Sequence, residues 1–317
     1  MNQFSIIVPT YRRKIMLEQC LRSIIDQNYD RHLFEIIVVD NSQDGSACEV
    51  VEEINRSSDI RIVWINEKKQ GLVYARHAGA KIAKYDILVF TDDDAVLDKN
   101  WLSEINRSFE KNDEIIAVAG RIEIKWDETP PEWIIEYEPY LGKLNYGDEP
   151  FIANDIQING GNFIIRKEML FRLKGFNPDQ VGEYLVGDGE TGLLRKMYKE
   201  KCLIGWSPKA LMYHCQTVEK NATVKDISRR FFNNGICEAY DSFVVQKQKG
   251  FFVINDIVRT IMQIFDIYIR RVLKLDSNAK RSIFLSAYQF GKLSFYKKVI
   301  FSQEYRKMIA SKDWELK

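Results

Sequence analysis

The chain has 317 residues, of which 45% are hydrophobic and 29% are charged, as in an ordinary soluble globular protein of one or two domains. A net charge of +1 excludes the strong positive field of most nucleic-acid-binding proteins, so we expect no nucleic-acid partner. Five scattered cysteines without a CxxC pair argue against a zinc cage and favour a reducing compartment. No signal peptide or bilayer-spanning run is apparent, which predicts a cytoplasmic protein.

The first hundred residues alternate between buried strands and amphipathic helices. The strands are predicted at Phe4–Val8, Glu35–Val39, Ile60–Trp64 and Ile87–Phe90. Ser46 and Glu49 have the spacing of a capping box at the start of the second helix. Regular alternation of this kind predicts an α/β fold with a mostly parallel central sheet and helices on both faces.

Polar residues follow three of these strands where each strand ends. Thr10 and Tyr11 follow the first, Asp40 and Asn41 end the second, and Asp92–Asp94 follow the fourth. Ligands of parallel sheets bind outside these carboxyl ends, and three adjacent carboxylates are costly there unless a cation compensates them. A divalent ion that carries phosphates would do so. The alternative is a solvated acidic turn that caps the next helix.

The second half of the chain is less regular. Residues 127–159 form a long region without a clear pattern. From residue 221 onward the pattern is helical. Its apolar stripe from Phe251 to Leu275, beside basic residues, either rests on a membrane or packs against the preceding domain or a second subunit.

Taken together, the motifs resemble those of family 2 glycosyltransferases over roughly the first three-quarters of the chain. The resemblance implies a GT-A fold, in which a Rossmann-like nucleotide-binding half (1–100) and an acceptor-binding half (101–220) precede a C-terminal helical region (221–317). The matching pieces, in order, are Ile7–Arg12, Val38–Ser42, Gly71–Arg76, Thr91–Asp94, Gly160–Phe163, Gly175–Pro178 and Leu211–His214.

The resemblance also assigns roles to single residues. Asp40 is expected to bind the base or ribose, Arg76 to lie near the diphosphate and Asp92 to meet the ribose. Asp94 and His214 are expected to hold Mn²⁺ or Mg²⁺. Alternatively, Arg76 is a solvated helix residue and His214 a hydrogen-bonded residue at a strand end. The full set of expected nucleotide-sugar-binding residues is Pro9, Thr10, Tyr11, Arg12, Asp40, Asn41, Arg76, Asp92, Asp93, Gly160, Gly161 and Asn162.

The implied reaction is metal-dependent, inverting transfer of a sugar from a nucleotide diphosphate to a hydroxyl of a glycan or lipid-linked acceptor. UDP-sugars are favoured as donors, while GDP- and dTDP-sugars stay open. In the long region 127–159, Trp133, Tyr137 and Tyr140 either stack on the rings of acceptor sugars or form a small satellite core. Lipid-linked acceptors make peripheral contact with the inner face of the plasma membrane sensible, and homodimerisation also stays open.

The catalytic base is the point where this chain departs from the family. Relatives supply it from a Glu-Asp pair that opens a helix, whereas this chain reads Gly187-Asp188-Gly189-Glu190. Asp188 is the first choice for the base and Glu190 the second, and either could instead cap the helix.

Two other functions follow from the same residues. Because the Glu-Asp pair is missing, the chain could be an inert nucleotide-sugar-binding scaffold of a glycan assembly complex. A phosphotransfer enzyme that uses Asp92 is disfavoured, since such enzymes usually have their aspartate pair on the first strand, which here ends in Pro9-Thr10-Tyr11.

Overall fold

In the N-terminal part of the protein, strands and helices alternate as the sequence predicts. A computed structural model describes residues 1–42, 44–178, 180–181, 184–185, 189–247, 250–273, 275 and 278–317. The elements are β1 (Phe4–Thr10), α1 (Lys14–Ile25), β2 (Phe34–Asp40), α2 (Ser46–Ser57), β3 (Ile62–Asn66), α3 (Leu72–Ile82) and β4 (Ile87–Thr91). The order β3-β2-β1-β4 is parallel throughout, so the carboxyl ends of these strands share one edge.

Two local predictions in this part need correction. The third strand begins at Ile62 rather than at Ile60, because Asn55 binds both the amide and the carbonyl of Ile62 and fixes the point of entry. The capping box at Ser46 is wrong, since Ser46 is the first helical residue of α2. Its amide donates to the carboxylate of Asp44, which caps the turn instead.

The second half adds antiparallel strands, so the sheet as a whole is mixed. The elements are β5 (Ala95–Leu97), α4 (Trp101–Lys111), β6 (Ile115–Trp126), β7 (Phe151–Ala153), β8 (Asn162–Arg166), α5 (Lys167–Arg172), β9 (Gln180–Val181), β10 (Tyr184–Leu185), α6 (Gly189–Lys199) and β11 (Leu203–Gln216). β8 runs antiparallel to both β4 and β6, while β11 is parallel to β6 and antiparallel to β5 and β7. The mostly parallel arrangement therefore applies to the N-terminal half.

The short strand β5 was not predicted, yet it determines the geometry of the acidic turn. It follows Asp94 directly and pairs with β11 so that Ala95 lies opposite His214. The amide of Cys215 also donates to the carbonyl of Asp94 at 2.9 Å. This pairing brings two residues that are 120 positions apart in the sequence to the same corner of the sheet.

Both faces of the sheet are covered, as expected for strands that are apolar on both sides. Ile6 and Val8 point into one core, which also contains residues of α1, α2 and α4. Ile7 points into the other, with residues of α3, α5 and α6. All three side chains are fully buried. The rigid sheet thereby holds the strand ends that carry the polar residues.

The long region between β6 and β8 is partly ordered as a 3₁₀ helix, Glu132–Leu141, which packs on the C-terminal helices. Tyr137 is buried against Phe231 and Phe284, and Trp133 lies against Phe284. These contacts favour the satellite-core interpretation for both residues. The helices are α7 (Val218–Asn221), α8 (Val224–Tyr240), α9 (Phe251–Val272), α10 (Ala279–Phe301) and α11 (Gln303–Ala310), with a π-helical turn at Asp241–Val245.

The last residues return from the helical region to the sheet-containing part. Leu316 is buried in the core that contains α3 and α6, and its amide donates to the carbonyl of Lys174 at 3.0 Å. Glu315 pairs with the ammonium of Lys174, also at 3.0 Å. The helical region is therefore joined to the sheet-containing part at both of its ends. The predicted boundaries at residues 100 and 220 stay predictions.

Candidate active site

A cleft of about 810 Å³ opens at the carboxyl ends of β1, β2 and β4. Its walls include eight of the residues that the sequence predicted: Pro9, Thr10, Tyr11, Asn41, Asp92, Asp93, Asp94 and His214. The strand ends thus converge as expected. Residues that the sequence did not single out complete the walls, among them Arg13, Gln70, Lys220, Arg229 and Arg230.

Asp93 links the ends of β1 and β4. Its carboxylate accepts a hydrogen bond from Thr10 Oγ1 at 2.7 Å and another from Arg13 at 3.0 Å. Burial raises the pKa of Asp93 to about 6, although Arg13 and Thr10 act in the opposite direction. Asp93 therefore serves to fix the turn, with both carboxylate oxygens already occupied.

Asp94 lies between a cation and an imidazole. Arg13 contacts its Oδ2 at 2.5 Å, and His214 Nε2 lies 3.2 Å from its Oδ1. Burial opposes ionisation of Asp94, but His214 and Arg13 outweigh burial and lower the pKa of the carboxyl. Burial likewise opposes protonation of His214, yet Asp94 raises the pKa of the imidazole. The carboxylate of Asp94 and the imidazole of His214 therefore stabilise each other's charged forms.

The other side of the imidazole is fixed by the backbone. A hydrogen bond with the backbone of Leu141 contributes to the raised pKa of His214. The adjacent Gly142 packs against the ring, since a Cβ on it would lie 3.2 Å from Nδ1. Metal-binding histidines are commonly oriented in this way by a backbone group on the second nitrogen.

The donor atoms fit a divalent cation that is shared with phosphate. Asp94 Oδ1 is buried and lies 3.2 Å from His214 Nε2, so a carboxylate oxygen and an imidazole nitrogen converge at one point. One carboxylate oxygen and one imidazole nitrogen suit Mn²⁺ or Mg²⁺ if substrate phosphates and water complete the coordination. Among the residues that the structure describes, no three His, Cys, Asp or Glu side chains could hold an ion by themselves.

Arg76 is buried beneath the cleft, which excludes its interpretation as a solvated helix residue. Its guanidinium lies 3.3 Å from Asp92 and 3.7 Å from Glu190, and it stacks on the ring of Phe176. Burial raises the pKa of Asp92, and Arg76 opposes this shift. Arg76 thus joins the acidic strand end to the helix α6 that contains Glu190.

Gly160 and Gly161 let the backbone approach these charges closely. A Cβ on Gly160 would lie 2.5 Å from Arg76 Nη2, and one on Gly161 would lie 2.7 Å from Asp92 Oδ2. The amide of Gly160 donates to Glu190 at 3.4 Å. Both glycines therefore support the site from behind the wall of the cleft.

Asn162, the third member of that motif, turns away from the cleft. Its side chain is fully buried and accepts from Trp101 Nε1 at 2.9 Å. Its amide donates to the carbonyls of Arg121 and Ala210. The side chain therefore joins α4, β6 and β11, so we assign it to the scaffold.

The residues expected around the nucleobase of the donor are arranged in two layers. Asn41 receives the amide of Gly71 at 2.7 Å and thereby holds the loop that begins α3, while Gln70 donates to the hydroxyl of Tyr11 at 3.0 Å. Asp40 lies deeper and binds Ser42 through Oδ1. Its Oδ2 is buried and accepts no hydrogen bond from the described residues.

Two predicted residues lie outside the observed arrangement. Arg12 adopts a φ of 57° and directs its exposed side chain to Asp44, 3.4 Å away, rather than into the cleft. Asp188, the first choice for the base, lies outside the described residues. Arg13 was missed because its position beside Arg12 in the sequence does not reveal which of the two arginines faces the carboxylates.

Comparison with known proteins identifies the family. Residues 5–176 match the family model described as glycosyl transferase family 2, which covers more than half of the chain. The chain belongs to this family. The predicted family membership is therefore confirmed.

Two curated glycosyltransferases share limited identity with this protein. It is 22% identical over 201 residues to a glucosyl-dolichyl phosphate glucuronosyltransferase from Haloferax volcanii, with 62% of this chain and 63% of that protein covered. It is 29% identical over 210 residues to GalNAc(5)-diNAcBac-PP-undecaprenol beta-1,3-glucosyltransferase from Campylobacter jejuni, with 63% and 61% covered. The match spans less than two thirds of either relative's length.

Solved structures confirm the GT-A fold. A mannosyltransferase from Pyrobaculum calidifontis in complex with GDP-Man and Mn²⁺ superposes with a TM-score of 0.61 at 17% identity, covering 95% of this chain and 88% of that one. GalNAc-T7 with UDP, GalNAc and Mn²⁺ gives 0.52 at 19% identity, covering 68% and 43%. At these identities, the likeness establishes the fold alone.

The helices of this family 2 member were also compared with membrane-spanning segments. Among the described residues, none of them combines the length and the hydropathy that a membrane-spanning helix requires.

Proposed function

We propose that the protein is a metal-dependent, inverting glycosyltransferase that uses a nucleotide-diphosphate sugar. The observation that supports this best is the buried Oδ1 of Asp94, 3.2 Å from His214 Nε2, at the edge where the sheet ends in a cleft. Three adjacent carboxylates at a buried strand end are costly unless a cation compensates them, and a divalent ion bound by Asp94 and His214 would do so.

The residues around Asp94 have separate roles in this proposal. Asp94 and His214 hold the divalent ion, which when bound stabilises the negative charge that develops on the departing diphosphate. Asp93 and Thr10 keep the turn in place. Arg76 neutralises Asp92, so that a nucleotide meets one buried charge pair rather than an isolated carboxylate.

The donor base is expected to bind between Tyr11 and Asp40. Half-exposed Tyr11 can stack on the base directly. Asp40 is fully buried and does not line the cleft, so its Oδ2 can accept an N–H from the base or an O–H from the ribose only when donor binding opens this wall. UDP-sugars remain the favoured donors, with GDP- and dTDP-sugars as alternatives, since structures of similar fold contain UDP or GDP-Man.

We assign the base role to Asp188 rather than to Glu190. Glu190 is paired with Arg76 at 3.7 Å and receives the amide of Gly160 at 3.4 Å, so its position is determined by structural partners. A general base must instead reach the acceptor hydroxyl and accept its proton. Glu190 then serves to position Arg76 and the glycine turn.

The acceptor is proposed to be a glycan on a polyprenyl phosphate or diphosphate. The names of two relatives specify lipid-linked substrates of this kind. Lys220, Arg229 and Arg230 also line the cleft, where both arginines are paired with Asp226, at 2.6 and 2.8 Å. This acceptor would place the enzyme at the inner face of the plasma membrane, in contact with it through the C-terminal helices. Homodimerisation is a separate proposal that sedimentation velocity can test.

A thermal-shift experiment tests the donor and the metal together. UDP, GDP and dTDP are each added with and without Mn²⁺. We expect one nucleotide to stabilise the protein, and to do so strongly only with Mn²⁺. Equal stabilisation in the presence of a chelator would contradict the metal role of Asp94.

The inert nucleotide-sugar-binding scaffold remains the second candidate, because Gly189 stands where relatives have the aspartate of their Glu-Asp pair. It predicts nucleotide binding without sugar transfer. A transfer assay with radiolabelled donor and a polyprenyl-diphosphate-linked acceptor distinguishes the two, since only the enzyme produces a labelled lipid.

A further inference from the structure

Helix α9 has an apolar face that no other described element covers. Ile261 is 52% exposed and Phe265 is 63% exposed, although both are large hydrophobic residues. They belong to a line that recurs every three or four residues and therefore follows one side of the helix for roughly 30 Å. The members of this line, the α9 face, are Ile254, Val258, Ile261, Phe265, Tyr268 and Val272.

The opposite side of α9 is firmly attached to the protein. Val253 and Ile257 pack against the core of the C-terminal helices, and Thr260 is fully buried. Asp256 accepts hydrogen bonds from Lys292 at 3.1 Å and from the hydroxyl of Tyr296 at 2.5 Å. The orientation of α9 is thus determined by its inner side, and the exposure of the α9 face is a property of the folded protein.

Charge around this helix is strongly unbalanced. Residues 247–281 contain eight Lys or Arg and only three Asp, whereas the whole chain has a net charge of +1. Asp256 is directed inward, and Asp266 is paired with Arg270 at 2.8 Å. Arg259 and Arg270 lie close to each other around the axis of α9, but about 140–160° around the helix from the centre of the α9 face, with exposed Met262 and Leu273 in between.

We propose that the α9 face binds the surface of an anionic lipid bilayer, with its apolar side chains at the boundary between headgroups and acyl chains. A helix with a long exposed apolar face in a segment of net positive charge has the form of an interfacial helix. The positive charge of residues 247–281 would attract anionic headgroups over the distance of a Debye length. Bilayer binding itself does not depend on the proposed function. Only its purpose, access to a lipid-linked acceptor, rests on that proposal.

Charge disfavours the other occupant, a second copy of the chain. A symmetric contact would place the same surface of both copies together, and so the same basic segment against itself. Like charges that face each other across an interface are unfavourable. Anionic lipid, in contrast, complements both the apolar side chains and the positive charge.

The helical packing connects this surface to the cleft. Both α8 and α9 pack against α10, and α8 supplies Arg229 and Arg230 to the wall of the cleft. Binding through α9 would therefore keep the cleft close to a bilayer that contains the acceptor.

Co-sedimentation of the full chain with lipid vesicles tests this proposal, without nucleotide or metal, so that its outcome is independent of sugar transfer. We expect binding to vesicles that contain phosphatidylglycerol and much weaker binding to phosphatidylcholine alone. Ile261→Asp with Phe265→Asp should weaken binding about tenfold or more. Replacing Arg259 or Arg270 by Gln should weaken it about fivefold at low salt.

A matched control is Ile82→Asp, which changes a 46% exposed isoleucine on α3 and should bind vesicles like the wild type. Circular dichroism melts verify that each variant folds. Equal binding of the double variant and the wild type would overturn the proposal. So would a lipid-independent dimer, seen by sedimentation velocity, that the double variant converts to a monomer.

Discussion

Gly160 lies so close to Arg76 that a Cβ at position 160 would be 2.5 Å from the Nη2 atom of the guanidinium. Arg76 cannot move aside freely, because it is 2% exposed and is held by Asp92, Glu190 and the ring of Phe176. The glycine thus allows a buried cation to lie directly behind the acidic strand end.

Gly160→Ala is expected to displace Arg76 and to reduce both stability and transfer. Overpacking of a close site typically costs about 1–3 kcal/mol of unfolding free energy. Urea denaturation and initial rates would measure the two effects. Gly205→Ala is the control, because the nearest atom to its Cβ would be Ile115 Cδ1 at 3.2 Å, away from the cleft, and it should cost less. Equal losses in the two variants would contradict the role of Gly160.

Asp94→Asn should abolish metal-dependent transfer while the fold survives. The amide keeps the shape of the side chain but removes the charge that His214 and Arg13 compensate. We expect kcat to fall on the order of 10²-fold or more. Asp59→Asn, a change at a 95% exposed side chain, should leave the rate unaltered. Full activity of Asp94→Asn in chelator-treated buffer would disprove the metal role.

Asp188→Asn and Glu190→Gln separate the base from the positioning residue. Removal of a general base lowers kcat by about 10²–10⁴-fold, so Asp188→Asn should show a loss of this size with little change in donor affinity. Glu190→Gln loosens Arg76 instead and should mainly weaken nucleotide binding. Steady-state kinetics and titration calorimetry with the nucleotide distinguish these effects, and the reverse pattern would make Glu190 the base.

Arg13→Gln should strengthen metal binding measured in the absence of nucleotide. Arg13 is a cation already in contact with Asp94 at 2.5 Å, and a divalent ion must compete with it. Because the Arg13 side chain is 49% exposed, the gain should be modest, up to about fivefold in Kd. Arg22→Gln on α1, where the arginine pairs with Glu18, should leave the Kd unchanged. Weaker Mn²⁺ binding by Arg13→Gln would show that Arg13 assists the metal.

The stability of the protein should fall in mild acid because of His77. Burial lowers the pKa of His77 from 6.5 to about 3, and its Nε2 accepts the amide of Phe176 at 2.9 Å. Between these pH values, the unfolded state binds a proton that the folded state does not. The free energy of unfolding therefore decreases as pH falls below 6.5, by up to about 1.4 kcal/mol per pH unit.

His77→Gln keeps an acceptor for Phe176 but does not titrate. Urea unfolding at several pH values below 6.5 should give a shallower dependence for this variant than for the wild type. Identical slopes would show that His77 does not contribute to the acid sensitivity.

Much of the site was predictable from the sequence because it depends on local pattern. Apolar runs at Ile6–Val8 and Leu88–Phe90 are strands, and the residues that end parallel strands must share one edge of the sheet. The meeting of Thr10 and Asp92–Asp94 in one cleft could therefore be predicted without knowledge of any long-range contact.

Other features required the tertiary structure. Asn162 belongs to a motif next to the site, but its side chain binds Trp101 and Ala210 in the scaffold. No periodicity indicates this, because a polar side chain can face either the cleft or a buried carbonyl. The antiparallel strand β5 is likewise too short to show a pattern, yet it places Asp94 beside His214.

By itself, the sequence of this protein determined the alternating α/β architecture, the acidic strand end and the family, since all three depend on the order of residues along the chain. Only the tertiary structure decided that Arg13 rather than Arg12 contacts Asp94, and that Glu190 pairs with Arg76. It also decided which side of α9 remains exposed. The physical reason is that charge pairing and burial depend on distances in space, which residues far apart in sequence acquire only when the sheet and the helices pack together.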